Sequence, residues 1–301
     1  MIAKNQRVFL PELEKYEVSL DIKREDVLFP GISGNKYRKL KYNILEAQTK
    51  KYTTLLTFGG AYSNHIAATA YAGKFYNFKT IGVIRGEELV NNWQNNPTLV
   101  QAHTHGMEFV FISREAYRNK TDANFLKELE KQFGAFYMVP EGGTNSLAIK
   151  GCEEILTQQD TLYNMVCCSV GTGGTVSGLI NASAVHQKVI GFSALRGDFL
   201  KEDIRKFARK DNWELQTQYH FGGYAKVDKE LINFINSFKQ QTGMALDPIY
   251  TAKMLYGIID VIKKGYVAPK SSILAIHTGG LQGIKGMNNI LAKRKLPLLE
   301  I

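Results

Sequence analysis

Short apolar runs rich in strand-forming residues alternate with helix-length segments along almost the whole chain, and this alternation restricts the fold more than any other feature. Parallel strands need long crossovers, helices supply them, and the result is a series of βαβ units building a mainly parallel sheet. The pattern predicts strands over 53–58, 80–84, 108–112, 135–139, 165–170, 189–193 and 272–276. Helices are expected over 64–75, 98–105, 124–133, 176–184, 229–242 and 252–263. The class is therefore α/β with an open parallel sheet. Several loops that follow strands are rich in Gly, Ser, Thr and Asn, and open parallel sheets bind ligands at those carboxyl ends.

With 301 residues, 44% hydrophobic and 22% charged, the chain has room for one large or two medium domains. No apolar segment follows Met1-Ile2-Ala3-Lys4, and no run approaches the ~18 apolar residues of a membrane span, so a cytoplasmic protein with no membrane partner is expected. The net charge of +10 is spread over separate helix ends, at Lys50-Lys51, Arg205-Lys206, Arg209-Lys210, Lys263-Lys264 and Lys293-Arg294-Lys295. No aromatic-interleaved motif accompanies it, so no nucleic acid partner is expected; an anionic substrate or a phosphate-bearing cofactor would suit the charge. Cys152, Cys167 and Cys168 are an odd number, and the adjacent pair lies in an apolar strand. Neither a disulfide framework nor a metal site is expected.

The run Ser33-Gly34-Asn35-Lys36-Tyr37-Arg38-Lys39-Leu40 sets a lysine in a Gly-Asn turn at the mouth of a helix. A solvated basic turn is the plain reading. The functional one is that Lys36, close to Arg38 and Lys39, has its pKa lowered far enough from ~10.4 to act as an imine-forming amine.

Four further loops carry polar groups. Ser169-Val170-Gly171-Thr172-Gly173-Gly174-Thr175 joins a strand to a helix, and its glycines allow successive amides to turn inward around a phosphate at the helix N-terminus. It lacks the Gly-Lys-Ser/Thr ending of a P-loop and the full dinucleotide spacing. In Phe58-Gly59-Gly60-Ala61-Tyr62-Ser63-Asn64-His65, Ser63 is placed to cap the next helix, whose N-terminus, with the Asn64 amide and the His65 imidazole as donors, suits a carboxylate. His277-Thr278-Gly279-Gly280 follows the last expected strand. Asp247-Pro248-Ile249-Tyr250-Thr251 opens a helix, where Thr251 can serve as an N-cap and Tyr250 as a core aromatic. An amine, a phosphate cradle, a carboxylate site and polar aromatics together suggest pyridoxal 5'-phosphate.

These segments, with Lys23-Arg24-Glu25-Asp26, Asn96-Pro97-Thr98-Leu99, Pro140-Glu141-Gly142-Gly143-Thr144-Asn145 and Gly223-Tyr224 in the same order, resemble the 1-aminocyclopropane-1-carboxylate deaminase and D-cysteine desulfhydrase family. That family belongs to the tryptophan-synthase-β-like, fold type II group of pyridoxal-phosphate enzymes. The resemblance implies that Lys36 holds the cofactor through an imine and later moves protons. It places Lys39 near the phosphate, Gly171, Thr172, Gly173, Gly174 and Thr175 around it, and Asn64 on the cofactor's phenolic oxygen. Ser63, Asn64 and His65 would hold the substrate carboxylate, with Tyr224 and Tyr250 as stacking or acid/base groups. It also implies a smaller α/β domain of residues 47–147 inserted into a larger one of 1–46 and 148–301, and a homodimer.

Two positions bear on the reaction. Where the deaminases carry a glutamate after the tyrosine and a leucine after the histidine, this chain has Thr251 and Thr278, which look like the D-cysteine desulfhydrase branch. A carboxylate near the pyridine nitrogen favours its protonated, electron-withdrawing form, whereas a threonine hydroxyl does not, so Thr251 suits loss of a good leaving group better than ring opening. Thr278 would face the substrate. The chain departs from the pattern at Ser33, where a glycine is usual, and at Ala148-Ile149-Lys150-Gly151, which lacks the usual Gly-Tyr. The expected reaction is β-elimination from D-cysteine to pyruvate, sulfide and ammonia. The alternatives are 1-aminocyclopropane-1-carboxylate deamination to 2-oxobutanoate, a cofactor-binding protein without catalysis, and a basic nucleic-acid-binding protein.

Overall fold

The computed structural model describes residues 1–29, 31–32 and 34–300, so Ser33 lies outside the described residues. Its strands are β1 (Asn5–Val8), β2 (Ser19–Lys23), β3 (Thr54–Gly60), β4 (Lys79–Arg85), β5 (Met107–Ile112), β6 (Tyr137–Val139), β7 (Met165–Val170), β8 (Lys188–Ser193), β9 (Trp213–Gln216) and β10 (Ser272–Ile276). They form a six-stranded sheet in the order β1-β2-β10-β7-β8-β9 and a four-stranded sheet in the order β5-β4-β3-β6. Only the β1–β2 pair is antiparallel; the other pairs are parallel, as the alternation predicts.

Every strand expected from the pattern is present, and β1, β2 and β9 are additional. β1 and β9 are four-residue edge strands too short to show a period. β2 was hidden by its charges, because Asp21 and Lys23 break an apolar run although both are buried. The expected helices also form, joined by Ser146–Glu153 and Gly283–Lys293, which the pattern did not mark.

The larger sheet buries both faces. Along β7 the period of two sends Val166, Cys168 and Val170 to a core with Val176, Leu179 and Ile180, and sends Cys167 to the opposite core with Leu255, Ile258 and Ile262. In the smaller sheet Leu56, Phe58, Ile81 and Val83 pack on Tyr117, Leu129 and Phe136. Helix Asn35–Thr49 ties the two layers together. Leu40 and Ile44 pack against Ala68, Ala72 and Val139 on one side, while on the other Gly151 lets helix Ser146–Glu153 approach so closely that a Cβ would lie 1.9 Å from the Arg38 carbonyl oxygen. All three cysteines are buried and free. Among the described residues no helix is long and apolar enough to cross a membrane.

The β2 charge is neutralised internally. Lys23 Nζ donates to both Asp160 oxygens at 3.0 and 2.8 Å, and Asp160 also accepts from Asn5 Nδ2 and the Thr157 amide. Burial alone would raise the Asp160 carboxyl, but these donors outweigh it and hold it below its ordinary value. A depressed carboxyl stabilises the fold above its unfolded pKa of ~3.9 and loses that contribution as pH falls through the lower folded value. Lys23→Met should cost roughly 3 to 5 kcal/mol at neutral pH, because it strands a buried carboxylate. That cost should shrink as pH falls, because the stranded Asp160 carboxyl titrates above its unfolded value and protonation relieves the buried charge. Urea denaturation of both proteins across the acid range measures both effects.

Candidate active site

The carboxyl ends of the two sheets face a cavity, and Lys36 stands in its wall on the first turn of helix Asn35–Thr49. The turn before it is locked in place. Gly34 has φ +60°, and a Cβ there would lie 1.9 Å from the Thr278 carbonyl oxygen, so only glycine fits. The Asn35 amide donates to that same oxygen at 3.3 Å, and Asn35 Nδ2 donates to Thr175 Oγ1 at 2.7 Å. The lysine turn is thus bound to the loop after β10 and to the glycine loop after β7.

Burial, and then the charge of Lys39, bring the Lys36 amine down to about 7. Arg38, expected to share in this effect, points elsewhere. It pairs with Glu25 at 2.9 and 2.8 Å and approaches Glu154 at 3.7 Å. Lys39 is buried, and its Nζ donates to Gly142 O and Thr144 Oγ1 at 3.0 Å and to Thr172 Oγ1 at 3.3 Å. Those recorded partners are neutral oxygens, and burial lowers its pKa. The glycine loop borders it closely, because a Cβ on Gly174 would lie 3.0 Å from Lys39 Nζ and one on Gly171 would lie 2.9 Å from the Tyr250 ring. Gly173, at φ +77°, opens helix Gly174–Ala182. A buried ammonium without a counter-anion, beside a helix N-terminus, is a cradle for an anion.

On the opposite wall Ser63 caps helix Asn64–Tyr76, accepting from the His65 and Ile66 amides at 3.2 and 3.4 Å. Its oxygen accepts, so its own proton remains available to donate. Asn64 Oδ1 accepts from Gln282 Nε2 at 2.5 Å. His65 is buried, and burial together with Lys36 and Lys39 holds its pKa well below 6.5, against a smaller opposing effect of the Pro140 carbonyl. Its Nε2 lies 2.8 Å from Thr57 Oγ1, which gives its one proton to Val139 O at 2.8 Å. Thr57 can then only accept, which assigns the imidazole proton to Nε2 and leaves Nδ1 as a buried acceptor with no partner. The sequence reading offered the His65 imidazole as a donor; the structure makes its remaining nitrogen an acceptor.

Tyr224 and Tyr250 complete the cavity, with ring centroids 6.2 Å apart. Burial raises both phenols, Tyr250 well above 10, so both stay protonated at neutral pH. The two threonines separate. Thr278 lines the cavity, with Oγ1 3.2 Å from Ser169 Oγ, whereas Thr251 is fully buried behind the lining and its hydroxyl has no partner. Nor is Thr251 the N-cap: Tyr250 holds that position, and Asp247 organises the turn before the helix by accepting from the Ile249, Tyr250 and Thr251 amides at 3.1, 2.8 and 2.8 Å.

Asn35, Thr144, Asp247 and Gln282 are positioning groups that sequence reasoning did not single out. The first three lie inside runs already noted for other residues. Gln282 meets Asn64 across 218 positions, and nothing local marks it.

Comparison with known proteins agrees with this geometry. The profile of the family described as pyridoxal-phosphate dependent enzyme matches residues 2–279. A Thermotoga maritima protein named, provisionally, a 1-aminocyclopropane-1-carboxylate deaminase is 33% identical over 92% of this chain and 93% of its own length. The mitochondrial bifunctional D-cysteine desulfhydrase/1-aminocyclopropane-1-carboxylate deaminase of Arabidopsis thaliana is 33% identical over 87% of this chain and 72% of its own length. The crystal structure of an ACC deaminase homologue superposes with a TM-score of 0.84 at 26% identity, covering 97% of this chain and 94% of that one.

An amine near neutrality can be titrated directly. Lys36 acylation by a small reagent, followed by mass spectrometry, should reach half its maximal rate at pH about 7. Lys39→Gln removes the neighbouring positive charge and should move that midpoint upward. An unmoved midpoint would leave burial as the sole cause.

Proposed function

The chain belongs to the pyridoxal-phosphate dependent enzymes, and from that membership we propose that it carries out β-elimination on a small amino acid, D-cysteine foremost, releasing pyruvate, sulfide and ammonia. The observation that carries this reading is an amine brought to about 7 in the wall of a cavity that also holds an anion cradle. The residues fit the cofactor. Lys36 would hold it, Gly171 to Thr175 and Lys39 would take its phosphate, and Asn64, steadied by Gln282, would meet its phenolic oxygen. Of the two threonines, Thr278 lines the cavity and offers the neutral hydroxyl for its ring nitrogen or the substrate, while Thr251 lies behind the lining.

When bound, pyridoxal phosphate supplies an electron sink for negative charge at the substrate α-carbon. Lys36, unprotonated in a large fraction near neutral pH, takes the α-proton. The Ser63 hydroxyl and the side-chain and backbone amides of Asn64 hold the substrate carboxylate, the His65 and Ile66 amides being taken by Ser63 Oγ. The His65 ring, with its proton on Thr57, is left to orient this loop or accept from the substrate. Tyr224 and Tyr250 remain protonated and can donate to the departing group. Breaking the Cα–H and Cβ–S bonds of D-cysteine and adding one water gives pyruvate, hydrogen sulfide and ammonia.

The choice of substrate rests on Thr251 and Thr278. Neither brings a carboxylate to the cavity, and Asp247 is turned onto three backbone amides. Without such a carboxylate the electron sink is shallower, which suits a good leaving group. The names of the relatives favour 1-aminocyclopropane-1-carboxylate deamination as a second reading. We assign residues 47–147, which contain the smaller sheet, to an inserted domain.

Lys36→Ala should abolish the visible absorption band of the bound cofactor and lower turnover by roughly a thousandfold or more. An intact band would remove Lys36 from its assigned role. Ammonia release from D-cysteine and from 1-aminocyclopropane-1-carboxylate, with the keto acid identified as pyruvate or 2-oxobutanoate, separates the two substrates. Pairing Thr251→Glu with Thr278→Leu should shift the ratio toward the cyclopropane substrate.

A further inference from the structure

Tyr224 packs its ring against Tyr250 but is 39% exposed overall, so packing holds it on one side only, and the backbone around it is unusual. Phe221, Gly222, Gly223 and Ala225 all have positive φ, at 51°, 86°, 113° and 55°, and two of them carry side chains that disfavour this region. Such a segment persists only where its surroundings impose it.

The imposing group is Lys253, on the first turn of helix Thr251–Lys263 and 1% exposed. Its Nζ donates to the His220 carbonyl at 2.9 Å and to the Gly223 carbonyl at 2.8 Å, both of them backbone oxygens. Burial carries a heavy penalty for an ammonium, and an apolar side chain of similar length would fill the same space without it. What the lysine supplies is a fixed distance between the helix that begins at Tyr250 and Thr251 and the carbonyl immediately before Tyr224. The loop is further held by the Phe221 ring against Tyr256, with centroids 4.9 Å apart, and by the Gly222 amide on His220 Nδ1 at 2.9 Å. At Gly223 itself the amide donates to the His220 carbonyl at 2.9 Å and the carbonyl accepts from the Lys226 amide at 3.2 Å, so the turn closes on itself and Lys253 is the side chain that ties it to helix Thr251–Lys263.

We propose that Lys253 is a positioning residue, which pins the His220 and Gly223 carbonyls and thereby sets the Tyr224 phenol against Tyr250 at the mouth of the cavity. The inference rests on the role given above to Tyr224. It makes Lys253 silent in the chemistry, and coupled to it through Tyr224.

Two measurements test it. Hydrogen exchange on the cofactor-free protein reads the pin without turnover. In Lys253→Met, amides of residues 220–226 should lose protection by roughly tenfold or more while helix Thr251–Lys263 keeps its own. Unchanged protection in 220–226, or equal loss in both segments, would overturn the pin. A double-mutant cycle on the holoenzyme then reads its consequence. Lys253→Met and Tyr224→Phe should each lower kcat by roughly tenfold or more, with the double variant no slower than about threefold below Tyr224→Phe. Multiplied losses in the Tyr224 cycle, or wild-type kcat in Lys253→Met, would overturn the positioning role. Wild-type kcat in Tyr224→Phe would overturn the role of Tyr224 itself. Should Lys253→Met fail to fold, both measurements are made on Lys253→Gln, which retains a donor and should show the same pattern with smaller losses.

Discussion

The contact between the bare Cα of Gly34 and the Thr278 carbonyl is the constraint on which the site depends. It brings the start of one helix against the end of the strand that runs at the centre of the larger sheet, a meeting of residues almost the length of the chain apart. With that contact made, Asn35 reaches Thr175, Lys36 enters the cavity, and Lys39, one turn later, falls beside the glycine loop. A methyl group at position 34 would push the backbone away and misplace all of these at once. The specificity of the arrangement thus comes from steric exclusion at a single atom, and hydrogen bonds only register it.

Electrostatics complete what packing begins. The cavity holds two lysines, and neither is neutralised by a carboxylate bonded to it. Burial strips water from both, and Lys39 repels the charge on Lys36, so the nearer amine gives up its proton close to neutral pH. By contrast Arg38, between them in sequence, faces the other side of the helix and satisfies Glu25. Three neighbouring basic residues therefore have three functions because a helix turns them to different surroundings. Charge composition alone does not distinguish them.

Much of this was legible beforehand because it depends on local chemistry. Parallel strands buried on both faces write themselves as apolar runs, and the Gly-rich turns at their ends are visible for the same reason. The Gly34-Asn35 turn, the glycine loop and the Ser63 cap were readable as the devices they form. β2 was not, because its charged residues are buried through a pairing with Asp160 that no local pattern reveals. The same holds for Asp247 organising the turn where Thr251 was expected to cap, for His65 losing its donor to Thr57, and for Gln282 reaching Asn64. The Lys23 and Gln282 bonds span 137 and 218 positions, and those of Asp247 and His65, though local, are set by how the chain folds, so single-sequence reasoning sees a polar side chain without seeing its partner.

The two lysines also differ in what they would register. The turn carrying Lys36 is fastened to Thr278 and Thr175, both next to strands of the larger sheet, whereas Lys39 reaches across to Gly142 and Thr144, which follow the last strand of the smaller one. If the two layers drew apart, the Lys36 turn would keep its fastening while Lys39 surrendered donors to solvent. The electrostatic suppression of the Lys36 amine would relax with it. A wider cleft would in this way mean a more basic Lys36 amine, through lost burial first and a more solvated Lys39 second.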